Sequence, residues 1–284
     1  MICAWQELLA ILPHWMQRDV NMLEDMCLRE IRLRLGSPPE LIMNGKSCWL
    51  ERNVQIDDLN FVVNAASQYS PWAASSSALG FITVKGGHRI GICGEMVMKH
   101  GERVGFRGYG SLCIRVARDF PGIAAGLETV KGSILILGPP GWGKTTLLRD
   151  MVRRIGAFET VGIVDERGEL FPGGFQRGKR TDVLMGCPKE QGIFMLLRTM
   201  GPSCIAVDEI TDHQDAAALM HAANCGVRLI ASAHADSINS FYRRAVYRAL
   251  MENHVFDVAL ILNEDHSYTM ERMAQWVGNG LVRC

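Results

Sequence analysis

The stretch Ser133-Ile-Leu-Ile-Leu-Gly-Pro-Pro-Gly-Trp-Gly-Lys-Thr145 determines the class of fold. Its first five residues form a short, continuous apolar run, which is typical of a strand buried on both faces. A turn rich in glycine and proline follows, and the pattern of Thr145 to Ile155 predicts a helix. A buried strand that passes through such a turn into a helix predicts an α/β domain built on a parallel sheet.

The turn also matches the spacing G-x-x-x-x-G-K-[ST], in which backbone N–H groups surround phosphate oxygens. The helix that follows adds its positive amino end. We expect Lys144 to reach the β- and γ-phosphates of ATP and the Thr145 hydroxyl to bind Mg²⁺. The alternative is a chance lysine in a Gly/Pro-rich turn, which the strand–helix context disfavours. The predicted nucleotide-binding residues are Gly138, Pro139, Pro140, Gly141, Trp142, Gly143, Lys144, Thr145 and Thr146.

A second apolar strand, Cys204 to Val207, leads directly into Asp208 and Glu209. The end of a strand beside a phosphate loop is where P-loop proteins place the carboxylate that serves Mg²⁺, so Asp208 is the second predicted metal-binding residue after Thr145. Glu209 is predicted to orient or deprotonate the attacking water. Without the phosphate loop, an ordinary acidic pair at a strand end would be the simpler interpretation.

Two further strands end in polar residues that are candidates for catalysis. Val161 to Val164 leads into Asp165 and Glu166, and His234 follows Ala233 at the end of another apolar run. Ligands of open α/β sheets bind at the carboxyl ends of the strands, where these side chains are expected to meet. The alternatives are a solvated acidic loop and a histidine with a structural role.

Arginines just before this region are candidates for a group that stabilises charge on the γ-phosphate. A guanidinium is planar, permanently charged and bidentate, and it can be supplied from another domain or subunit. We predict that at least one of Arg107, Arg115 and Arg118 has this role. For any single one of them, a surface charge on an alternating strand is the simpler interpretation.

The composition limits the class of protein. The chain has 284 residues, with 30 basic and 30 acidic side chains and a formal net charge of zero, which argues against a general coat for nucleic acid. No uninterrupted apolar run reaches the ~20 residues of a membrane span. The nine cysteines show no metal-binding spacing, which suggests free thiols in a reducing compartment. We therefore expect a cytosolic protein that reaches a membrane only through a partner.

The chain divides into two parts of different character. Residues 1–120 are predicted to form a smaller α+β domain, with a hairpin turn at Asn44-Gly45 and strands at 81–84, 89–93 and 111–116. Residues 121–284 are predicted to form the ATPase domain, and Pro121-Gly122 interrupts the pattern between the two. Beyond the first strand and helix, strands are predicted at 160–164, 204–207 and 228–232, and helices at 190–200 and 214–224.

Three segments resemble the type II/IV secretion and pilus-motor ATPases: Leu196 to Ser203, Ile205 to Ile210, and Ser232 to Asp236. That family implies a RecA-like P-loop core, a homohexamer, and a membrane complex as partner. It also implies that Asp165-Glu166 form an acidic box and that His234 senses the γ-phosphate.

Other segments are similar to the sporulation branch of that family, the stage III sporulation proteins. They are Gly86 to Gly94, Ile114 to Arg118, Gly138 to Arg149, Val164 to Arg167, and Arg180 to Leu184. The resemblance spans roughly residues 30 to 265 and implies a motor or assembly ATPase of a secretion-like channel, in the mother cell during endospore formation. The chain departs from the family pattern at Thr211, where an arginine is usual, and at Trp142, where a small residue is usual.

Two other functions share this core. A nucleic-acid translocase or helicase would need a stripe of basic and aromatic residues, which the sequence lacks. Its best basic cluster consists of Arg243, Arg244 and Arg248. A small-molecule kinase would share the phosphate loop, but Glu209 and His234 suit attack by water. A motor ATPase is therefore the function that the sequence favours.

Overall fold

A computed structural model describes residues 2–23, 28–43, 46–68, 80–172 and 175–273. The chain forms two compact units, one made of Met1–Asp119 with Pro172–Phe175 and the other of Phe120–Phe171 with Gln176–Cys284. The sequence did not lead us to expect that a short segment from the later part of the chain would belong to the first unit. The assignment of 1–120 and 121–284 as functional domains remains a prediction.

The first unit is an antiparallel sheet with helices. Its strands have the order β3-β2-β1-β6-β5-β4, and neighbouring strands in this order pair antiparallel. The predicted Asn44-Gly45 turn lies outside the described residues, although the strands on either side pair with Met43 opposite Lys46. The elements are α1 (Trp5–Ala10), α2 (His14–Asn21), β1 (Leu28–Arg34), β2 (Glu40–Met43), β3 (Lys46–Trp49), α3 (Ile56–Gln68), β4 (Phe81–Thr83), β5 (Arg89–Lys99) and β6 (Glu102–Arg115).

Alternation along β1 explains how this sheet buries one face. Ile31 and Leu33 point into the core, while the intervening arginines lie towards solvent, as the period of two in a strand requires. Helix α3 contributes Leu59 and Val62 to the same core at helical spacing.

The β5–β6 hairpin is longer than the sequence suggested. The two expected strands, 89–93 and 111–116, continue through their glycines into a ribbon in which Lys99 pairs with Glu102. Gly94 makes this possible, because a Cβ there would lie 2.0 Å from the carbonyl oxygen of Gly108. These glycines therefore allow close approach of the two strands, where we had expected them to end the strands.

The second unit is a seven-stranded sheet with the order β13-β12-β7-β11-β10-β8-β9, parallel except for the β12–β13 pair. Its fully buried strands confirm the predicted α/β class. The elements are β7 (Ile134–Leu137), α4 (Lys144–Ile155), β8 (Val161–Asp165), β9 (Thr181–Met185), α5 (Lys189–Thr199), β10 (Cys204–Val207), α6 (His213–Asn224), β11 (Arg228–Ala233), α7 (Ile238–Arg243), α8 (Ala245–Glu252), β12 (Val258–Leu262) and β13 (Tyr268–Arg272).

Strand order and register bring the candidate residues to one edge of this sheet. Leu137 of β7 pairs with Ala233 of β11, and Val207 of β10 pairs both with Ala231 of β11 and with Val164 of β8. The carboxyl ends of four adjacent strands therefore lie side by side. The polar residues that follow these strands meet at this edge, as is usual for binding sites of open α/β sheets.

Candidate functional site

The phosphate loop occupies residues 138–143, between β7 and α4. Gly141 and Gly143 have φ values of 81° and 93°, in the left-handed region that glycine adopts at little cost. Gly143 also precedes the first turn of α4, and no side chain caps that turn. The free N–H groups at the start of α4 are consequently available to an anion, which fits the predicted phosphate site.

Lys144 is buried at the base of this loop. Its Nζ donates to the carbonyl oxygens of Gly138 at 2.8 Å and Pro139 at 2.9 Å, and lies 2.9 Å from Nδ1 of His234. Burial lowers the pKa of Lys144, and the negative charges of Asp208 and Glu209 partly offset this by raising it. An ammonium group carries only donors, so Nδ1 of His234 is the acceptor in this contact.

His234 connects Lys144 to Glu209. With Nδ1 accepting from the lysine, the ring proton lies on Nε2, which donates to Oε1 of Glu209 at 2.9 Å. Arg167 Nη1 lies 3.5 Å from the other carboxylate oxygen of Glu209. A continuous chain of polar contacts thus runs from the lysine of the phosphate loop to the acid that follows β10.

Asp208 is held by two hydroxyl groups. Thr145 Oγ1 donates to its Oδ2 at 2.7 Å, and Ser232 Oγ donates to its Oδ1 at 2.5 Å. The backbone N–H of Glu209 in turn donates to Ser232 Oγ at 2.8 Å. Glu209 has a φ of 55°, a conformation that costs a non-glycine residue energy and needs support from its surroundings. Ser232 supplies part of that support.

The Thr145–Asp208 pair has the right chemistry for Mg²⁺, which prefers oxygen ligands and keeps several waters. In the part of the chain that the structure describes, no group of three or more His, Cys, Asp or Glu residues could hold a metal alone. A cation at Thr145 and Asp208 would therefore take its remaining ligands from phosphate and water. The residues fit a metal that arrives with a nucleotide.

Asp165 has a different environment from the other acids. Its carboxylate accepts the N–H groups of Glu169 at 2.9 Å and Leu170 at 2.8 Å, with Phe171 at 3.4 Å. Burial raises its pKa to about 6, and the nearby Asp208 acts in the same direction. The carboxylate of Asp165 therefore anchors the loop that follows β8, while Glu166 contacts Lys189 at 2.6 Å. The predicted catalytic roles of Asp165 and Glu166 stay predictions.

A polar cleft joins these acids at the sheet edge. Three residues beside it were not predicted from the sequence, Ser232, Lys189 and Asp215, although the serine within the apolar run of β11 was a usable signal. The cleft is lined by Val164, Asp165, Glu166, Arg167, Glu169, Lys189, Asp208, Glu209 and Thr211.

The three candidate arginines belong to the first unit. Arg107 is exposed and pairs with Glu95 at 3.0 Å, and Arg115 is exposed at the end of β6. Arg118 donates to the carbonyl oxygen of Leu28. Their role toward a γ-phosphate remains a prediction.

The fold and the loop define the class: the second unit is a RecA-like P-loop core. The structure resembles the ATPase DotB of Yersinia pseudotuberculosis, with a TM-score of 0.64 and 16% identity over 95% of this chain and 84% of that chain. It also resembles the pilus retraction motor PilT with bound ADP, with a TM-score of 0.60 and 16% identity over 89% of this chain and 80% of that chain. At such low identity the likeness concerns the fold alone.

The sequence defines the family more closely. The family model described as sporulation stage III, protein AA, matches residues 6–272, and the chain belongs to that family. It is 34% identical over 278 residues to the Stage III sporulation protein AA of Bacillus subtilis (strain 168), with 90% of each chain covered. Among the described residues, no helix has the length and apolar character needed to cross a bilayer.

Proposed function

We propose that this chain hydrolyses ATP with Mg²⁺. The observation that carries the proposal is the convergence of Lys144, Thr145, Asp208 and Glu209 at one edge of the parallel sheet. These are the residue types that P-loop hydrolases use to bind phosphate, hold the metal and direct water. Thr145 contacts Asp208 directly and His234 connects Lys144 with Glu209, so residues that follow three adjacent strands meet here, which a chance match to the loop pattern does not explain.

Each residue has a task in the proposed reaction. Lys144 gives up one of its present acceptors, Gly138, Pro139 or His234, for a phosphate oxygen, and Thr145 and Asp208 hold the cation. Bound Mg²⁺ would neutralise charge on the β- and γ-phosphates. Glu209 orients and deprotonates the attacking water, with His234 fixing its carboxylate through Nε2.

We further propose that the chain is the motor or assembly ATPase of a secretion-like channel in endospore formation. The family supports the sporulation context, and the fold shared with DotB and PilT supports a secretion or pilus-type ATPase. In this proposal the chain works as a homohexamer in the mother-cell cytoplasm, peripheral to membrane proteins of the complex. One of Arg107, Arg115 and Arg118 completes the site.

The test is ATP hydrolysis by the purified chain, compared with Lys144→Ala and Glu209→Gln. We expect Lys144→Ala to lose nucleotide binding, and Glu209→Gln to bind ATP while turnover falls at least ~10²-fold. Light scattering with and without nucleotide should show a six-subunit ring. Tight binding without hydrolysis in any oligomeric state would refute the ATPase proposal, and phosphate transfer to an added acceptor would favour a kinase.

A further inference from the structure

A buried lysine lies beside the cleft and has no role in the reaction described above. Lys189 is the first residue of α5, and only 7% of its side chain is exposed. Its Nζ lies 2.6 Å from Oε2 of Glu166 and 3.4 Å from Oδ2 of Asp215. These two carboxylates raise the pKa of Lys189 in spite of its burial, so the ammonium form is the one that occupies the cleft.

One of its two partners is rigidly held. Asp215 is buried in the first turn of α6, where its Oδ2 accepts both the N–H of Thr211 at 2.9 Å and the Thr211 hydroxyl at 2.8 Å. Thr211 follows Glu209 by two residues. Asp215 and Thr211 therefore fix the segment that follows β10, and Lys189 contacts that segment through Asp215.

The other partner is not buried. Glu166 has 42% of its side chain exposed, so solvation alone would stabilise its charge. The shorter of the two contacts of Lys189 is nevertheless made to Glu166, whereas Asp215 already has the two Thr211 donors. A lysine with only a structural role would need a single partner for its charge, the buried carboxylate of Asp215. The contact with Glu166 instead restricts a side chain that would otherwise be free to change rotamer.

We infer that Lys189 is a positioning residue that holds the carboxylate of Glu166 in the cleft beside Glu209. Glu166 follows β8 and Glu209 follows β10, and these two strands are neighbours. A Glu166 carboxylate fixed there accepts a hydrogen bond from the water that Glu209 activates. The inference rests on the proposed hydrolysis, and Lys189 itself touches neither nucleotide nor water in it.

This role predicts a loss of turnover without a loss of nucleotide affinity. We expect Lys189→Met to lower kcat about 10²-fold, the effect of a misplaced reacting group, while the Kd for ATP measured by calorimetry stays within twofold. Glu166→Gln should give a similar loss. Because both changes remove the same interaction, the double variant should be no slower than the slower single variant.

Two further variants separate positioning from folding. Lys189→Arg keeps the charge and should recover most of the kcat lost in Lys189→Met. Arg198→Met removes a positive charge from an exposed position on the same helix and should leave kcat unchanged. Glu166→Gln alters a half-exposed side chain, so it tests the contact even if Lys189→Met fails to fold.

The inference is overturned if Lys189→Met retains kcat within twofold, or if the losses in the double variant multiply. A chain without any ATPase activity would refute the proposed function, and a second readout then decides the role of Lys189. Trace acetylation with acetic anhydride, read by mass spectrometry, should modify Lys189 at least fivefold faster in Glu166→Gln than in the wild type, because the loss of the Glu166 carboxylate lowers the pKa of Lys189. Equal rates would show that Glu166 and Lys189 are not linked.

Discussion

Replacing Ser232 with alanine tests the geometry at the centre of the site. Ser232 is fully buried in β11, where it donates to Asp208 Oδ1 at 2.5 Å and accepts the N–H of Glu209 at 2.8 Å. The substitution removes a single oxygen atom and adds no bulk. It leaves the phosphate loop, Lys144 and Thr145 in place.

The magnitude follows from the two hydrogen bonds. The N–H of Glu209 loses its acceptor, and an unsatisfied donor of this kind costs about 1–3 kcal/mol when buried. A hydrogen bond to a charged group such as Asp208 contributes about 1.5–3 kcal/mol, although Thr145 still donates to the other oxygen. We expect a loss of about 2–4 kcal/mol in the free energy of unfolding. Because the φ of 55° at Glu209 loses its support, kcat should fall about 10²-fold.

The matched control is Ser133→Ala. Ser133 is also buried, and its hydroxyl accepts the N–H of Leu229 at 3.1 Å, but it lies at the amino end of β7, away from the candidate site. Both variants should lower the urea midpoint of unfolding, and only Ser232→Ala should lower kcat in a coupled ATPase assay. Equal rates of ATP hydrolysis by the two variants would refute a role for Ser232 in supporting Glu209.

Two further predictions concern the first unit. Burial lowers the pKa of His88, so as the pH falls the unfolded chain binds a proton there before the folded chain does. The free energy of unfolding should therefore decline as the pH falls below about 6.5. The drop in urea midpoint between about pH 7.5 and 5.5 should be smaller in His88→Gln than in the wild type. Gly94→Ala places a Cβ 2.0 Å from the backbone oxygen of Gly108 and should lower the free energy of unfolding, measured by thermal denaturation, by about 1–3 kcal/mol. At Gly110 the nearest atom to an added Cβ lies 3.7 Å away, so Gly110→Ala should be tolerated.

The sequence was most informative where strands are buried on both faces. The runs at β7, β8, β10 and β11 are continuous and apolar, because helices cover both sides of a parallel sheet. The edge strands β9 and β13 are partly exposed and carry no such pattern, so the sequence did not predict them. Val258–Leu262 is as apolar as β7, and the same reasoning would have found it.

The residues of the candidate site likewise fall into those that the sequence predicts and those that it does not. The residues of the phosphate loop and the acids that follow strands could be predicted, because their spacing along the chain determines where they lie. Lys189 lines the cleft from the start of α5, and Asp215 contacts it from the start of α6, an arrangement that depends on how those helices pack. Asp165 shows a third case: its place at the end of β8 follows from the sequence pattern, but the pattern did not predict that its carboxylate would accept backbone N–H groups four to six residues further along the chain.

The hydrogen bonds of Lys144 connect the phosphate loop to Glu209, the acid that we propose directs water. An ammonium group has three N–H donors, and in this structure they serve Gly138, Pro139 and His234. A phosphate oxygen that takes one donor must displace one of these acceptors. If His234 is displaced, its Nδ1 becomes available to a phosphate-bound proton or water while Nε2 still holds Glu209. In that case the arrival of ATP would change the surroundings of the Glu209 carboxylate through His234.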